Sequence, residues 1–80
     1  MKIDDWQASP AARRHMQVKH GVEWGEVDEV FEAGPTIRRG RLVRGQQRYM
    51  AEGRTAAGRR LRIIFRASGR TAVVITAWPP

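Results

Sequence analysis

Cysteine is absent from this chain of 80 residues, which excludes disulfides, thiolate zinc sites and a cysteine nucleophile. No apolar run approaches the roughly 20 residues that a membrane-spanning helix needs, and the amino-terminal residues lack the apolar stretch of a secretion signal. The expectation is a soluble cytoplasmic protein that does not engage a membrane. The patterns H-E-x-x-H, G-x-x-x-x-G-K-[ST] and G-x-G-x-x-G are missing too, so neither a metal nor a cofactor is implied. Negative charge is the scarcest feature of the second half. Residues 36–80 hold eleven arginines against Glu52 alone, while residues 1–35 hold four basic residues against seven acids. The resulting net charge of +7 raises encounter rates with polyanions. It suits two kinds of partner, a nucleic acid or an acidic protein.

The chain is long enough for one small domain, residues 1–80, with a modest core. "KIDDW" reads as a short strand or an extended lead-in, with Trp6 as an anchor. "SPAARRHMQVKHG" has helix punctuation: Ser9 as N-cap, Pro10 at the first helical position, and Gly21 as the stop. "VEWGEVDEVFEAGP" predicts a second helix with Trp24, Val27, Val30 and Phe31 on its apolar face. Val22 and Val27 have the spacing of a hydrophobic staple, and Glu26 stands where a capping-box acid would.

Four strands are predicted after Pro35, in "TIRRGRLVR", "QRYMAEGRT", "RRLRIIFRA" and "TAVVITAW", with glycine-bearing hairpin links. The last of them places Val73, Ile75 and Ala77 on one face. The fold expected is α+β, with two N-terminal helices packed on one face of a small antiparallel sheet.

Alternation then assigns the arginines. With Leu61, Ile63 and Phe65 turned to the helices, Arg60, Arg62 and Arg66 share the opposite face, joined by Arg48 and Arg54 from the neighbouring strand. His15 and His20 are about 140° apart around a helix, too far round for a shared metal site. Ser9 and Ser68 read as cap and turn residues rather than nucleophiles. RNA cleavage needs less equipment, because the substrate's own 2′-hydroxyl attacks the adjacent phosphate. The protein must orient the strand, stabilise the phosphorane charge and move protons. Arginine serves the first two tasks. The residues leave His20 open between a helix-end histidine and a proton-transfer group, and Tyr49 open between core and stacking roles.

"KHGV" at Lys19–Val22, "EVDEVF" at Glu26–Phe31, "RYMAEGRTAAGRRL" at Arg48–Leu61 and "VVITA" at Val73–Ala77 occur in an order that resembles the BrnT-type toxins. These belong to the RelE-like group of bacterial type II toxin–antitoxin systems. The resemblance runs from about Ile3 to Ala77. It implies a RelE-like fold, ribonuclease activity that blocks translation, neutralisation by a cognate antitoxin, and contact with DNA only through that antitoxin. It implies catalytic positions at His20, Arg48, Tyr49 and Arg54, with Arg60, Arg62 and Arg66 left to contact RNA. One departure is visible: Trp78-Pro79-Pro80 follows Ala77 where these toxins commonly continue with arginine and a basic tail. A non-catalytic basic module, binding an acidic protein or a nucleic acid, is the alternative.

Overall fold

A computed structural model describes residues 1–80. Its elements run β1 (Asp5–Gln7), α1 (Pro10–His20), α2 (Trp24–Ala33), β2 (Thr36–Val43), β3 (Gln46–Arg54), β4 (Arg60–Ser68) and β5 (Thr71–Trp78). One five-stranded sheet has the order β1-β5-β4-β3-β2. The expected antiparallel sheet is corrected here. The four strands from β2 to β5 form an antiparallel meander, but β1 pairs parallel to β5, so the sheet is mixed and a strand precedes the helices. Trp6 supplies the reason. Its side chain is buried and its indole N–H donates to Asp28 Oδ1 on α2 at 2.9 Å, which lays Asp5 and Gln7 along the free edge of β5.

Both helices begin and end as their sequences dictate. Ser9 Oγ accepts from the Ala12 N–H at 3.0 Å, and Gly21 takes the left-handed conformation (φ 63) that lets the Val22 N–H reach Met16 O. At the start of α2 the Glu26 carboxylate accepts from the Glu23 N–H at 3.0 Å. Val22 and Val27, on either side, are both buried. Two-residue loops close two hairpins. Arg44 (φ 51) and Gly45 (φ 75) turn β2 into β3, and the glycine of Gly69-Arg70 (φ 60) starts the turn into β5.

A single core cluster joins Met16 of α1 and Val27 and Val30 of α2 to Ala51, Leu61, Ile63, Phe65, Ala72, Val74 and Ala77 of the sheet. On β5 the inward residues are therefore Ala72, Val74 and Ala77, not Val73, Ile75 and Ala77. A bulge between the Ile64–Thr76 and Phe65–Val74 pairs inserts Ile75 and shifts the alternation by one residue. Gly53 lies close beneath α2: a Cβ there would meet Val30 Cγ1 at 3.0 Å.

Candidate functional site

The face of the sheet turned away from the helices is built by strand register. On β3, Tyr49, Ala51 and Gly53 alternate with Arg48, Met50, Glu52 and Arg54. On β4, Leu61, Ile63 and Phe65 are buried, leaving Arg60, Arg62, Ile64 and Arg66 on the outer face. Pairing sets Met50 against Ile64, Glu52 against Arg62, and Arg54 against Arg60. Carrying the register one step further puts Arg48 beside Arg66. Arg38, opposite Met50, extends the outer face onto β2.

Six guanidiniums thus share one face with a single carboxylate. Glu52 accepts from Arg38 through Oε1, and from Arg62 Nε through Oε2 at 3.1 Å. The hydrogen bond from Arg62 holds the Glu52 carboxyl below its ordinary range against the opposing effect of desolvation, and the positive charges of Arg38, Arg62 and Arg60 each add a smaller effect in the same direction as the bond. Arg48 donates to Gln46 Oε1 at 3.0 Å, and Arg54 to the Gly58 carbonyl at 2.9 Å. Arg60 and Arg66 have no protein partner, so their donors are free for an anion.

The four positions that the resemblance makes catalytic do not converge. Arg48 and Arg54 share the outer face at opposite ends of β3, six residues and about 20 Å apart at strand rise. Tyr49 lies on the helix side, half-buried and stacked on Phe65 with ring centroids 5.6 Å apart. His20 closes α1, also in the helix layer. His15 and His20, which spacing alone separates, meet edge to face at 5.4 Å. No group of three or more metal-ligating side chains forms.

Two residues gain importance beyond the sequence reading. Glu52 is the sole acid of the outer face, visible beforehand only as an interruption among arginines. Arg59 turns to the helix layer. Its Nη1 donates to Gly21 O at 2.9 Å and to both Glu26 oxygens at 2.9 and 3.1 Å, and its Nη2 reaches His20 O at 3.4 Å. The "KHGV" segment at the end of α1 and the "GRTAAGR" loop after β3 are therefore locked together. In the loop, Arg54 and Thr55 fold the chain: the Thr55 N–H donates to Arg59 O at 2.9 Å, and Thr55 Oγ1 accepts from the Arg59 N–H at 3.1 Å.

No protein-family profile matches the chain, and no curated protein matches it. Among solved structures it is similar to the crystal structure of the Brucella abortus ribonuclease toxin BrnT. The two are 16% identical, the match covers 95% of each chain, and the TM-score is 0.67. Likeness at that identity shows a shared fold. The BrnT-type fold expected from the ordered motifs is the fold observed, and no helix is long and apolar enough to cross a membrane.

Proposed function

We propose that the chain is a ribonuclease toxin of the type II kind, acting on RNA in the cytoplasm and neutralised by a cognate antitoxin protein. The observation that carries this reading is the arginine-rich outer face on a fold shared with a solved ribonuclease toxin. Arg60, Arg62 and Arg66 hold the RNA backbone along β4. Arg54, two residues along β3 from Glu52, supplies charge to the phosphate under attack, where a guanidinium stabilises the phosphorane more than the ground-state diester, and Arg48 at the other end of β3 holds a phosphate further along the strand. The 2′-hydroxyl is the nucleophile, its oxygen bonding to phosphorus as the 5′-oxygen of the next nucleotide departs. Glu52 is ionised at neutral pH and is the one carboxylate on this face that can accept the 2′ proton. Its depressed pKa makes it a weak base, and the rate is expected to be slow accordingly.

Expression in a bacterial host tests this reading. Growth arrest by the parent, relieved by the Arg48→Ala, Arg54→Ala pair at equal protein level, is expected. Equal arrest by both forms would place the activity elsewhere.

The dispersal of Arg48, Arg54, Tyr49 and His20 favours one second reading, a binding module without catalysis. It predicts salt-sensitive RNA binding with the RNA left intact. Cleavage of a labelled RNA by the parent removes it.

A further inference from the structure

Trp78 is the one aromatic residue of the outer face. Its neighbour Ala77 is buried against the helices, so alternation turns Trp78 outward, where register sets it directly across from Arg62. The other aromatic rings lie on the helix side and are already in contact. Trp6 and Trp24 meet at 3.8 Å between ring centroids, the Arg13 guanidinium covers Trp24 at 3.1 Å, and Phe31, Phe65 and Tyr49 continue the stack. Trp78 is half-buried, with no ring or guanidinium stacked on it. Its indole N–H, unlike that of Trp6, has no acceptor within the chain. Two features leave this end of the sheet open. β1 pairs with β5 only from Thr71 to Val73, so no strand lies beyond the Trp78 end of β5. Pro79 follows, which holds the Trp78 backbone extended and offers no N–H to prolong the ladder.

We propose that Trp78 is the base-stacking residue of this face, seating the base of the nucleotide whose 2′-hydroxyl attacks. Pairing lays Trp78, Arg62, Glu52 and Thr36 in one row across the sheet. Trp78 and Glu52 are thus two strand spacings apart, about 10 Å, with Arg62 between them. That span suits one nucleotide laid across the strands, with its base on the indole, its ribose over Arg62 and its 2′-hydroxyl towards Glu52. Arg62 gives its Nε to Glu52 and makes no other bond within the chain, so its terminal nitrogens are left for the phosphate. Guanidiniums alone hold any polyanion, a base-free one included. A flat ring beside them favours a base specifically, because the base leaves water to stack on it. The indole reads the π-face and not the base edge, so the site accepts every base. The proposal rests on the outer face being an RNA site, as read above, and not on cleavage.

A labelled oligodeoxyadenylate of about six nucleotides tests it, beside an abasic oligomer of the same length that has the sugar-phosphate chain and no bases. Neither carries a 2′-hydroxyl, so no cleavage intervenes. Trp78→Leu should weaken the adenylate oligomer at least about fivefold, the loss of one stacked base, and keep the abasic oligomer within about twofold of the parent. Trp78→Phe should stay within about threefold of the parent on both. The parent's indole fluorescence should fall on adding the adenylate oligomer and not on adding the abasic one. Trp6 is buried and Trp24 lies under Arg13 on the helix side, so the change reports Trp78. Equal loss on both oligomers in Trp78→Leu would overturn the proposal, because Trp78 would then only support the sheet. If the parent binds both oligomers and Trp78→Leu changes neither, the stacking proposal alone falls. If the parent binds neither, the reading of the face as an RNA site falls, and stacking with it.

Discussion

Glu52 decides how the outer face tolerates its own charge. Arg54 and Arg60 stand directly opposite one another, an arrangement that costs stability, and Arg38 and Arg62 would add to the repulsion if Glu52 did not lie between them. Because the folded pKa of Glu52 is depressed, its stabilisation is present above the ordinary carboxylate value and is lost as pH falls through the depressed one. Glu52→Gln should therefore melt below the parent at pH 7. The gap should close on acidification from about pH 5 to below the ordinary glutamate value of about 4.3. Thermal melts across that range check the point, and a gap independent of pH would show that the ion pairs contribute nothing. Composition revealed that the arginines outnumber the acids. It could not reveal that Glu52 would neutralise two of them, because strand pairing to Arg62 and the reach from Arg38 depend on register.

At the scale of elements, both helices, their caps and the four strands of the meander were legible, since each has local punctuation and periodicity. Ser9, Pro10 and Gly21 bracket α1 in the sequence as they do in the structure. The parallel pairing of β1 was not legible. Its partner is separated from it by 63 residues, and three residues carry no signal of direction. The β5 bulge was equally hidden, and it alone turned Ile75 outward. The motifs that carry the family resemblance prove to be joints. Gly21, His20 and Glu26 on one side and Arg59 on the other close the contact between the α1–α2 corner and the β3–β4 loop. Arg59→Met keeps the apolar stem and removes these bonds, leaving a partly buried Glu26 unpaired. The expected cost is about 2 kcal/mol, from the lost charge-assisted bonds and the stranded carboxylate. For a domain of this size that lowers the melting temperature by roughly 8–16 °C. A shift under about 2 °C would mean that solvent replaces the guanidinium without loss.

On the scale of the whole molecule, charge is partitioned between two surfaces. The acids of residues 1–35 gather on α2 and the lead-in to β1, and the arginines of residues 36–80 gather on the sheet. The fold therefore sets its largest group of arginines on the sheet face away from the helices, while α1 carries Arg13, Arg14 and Lys19 on the other side. The sequence located that face through alternation on β3 and β4. The same alternation set Tyr49 on the face opposite Arg48 and Arg54, but it did not place His20, because the family motifs order residues along the chain and not around the sheet. The central claim is that RNA is cleaved on the outer face. The most direct measurement compares cleavage of one labelled RNA by the parent, by Arg48→Ala, Arg54→Ala, and by His20→Ala, Tyr49→Phe. Loss of at least about a hundredfold in rate for the outer-face pair is expected, as for removal of groups that stabilise transition-state charge. The helix-side pair should stay within about threefold of the parent, since neither residue reaches the outer face. The reverse order would contradict the account and move the chemistry to the helix side of the sheet.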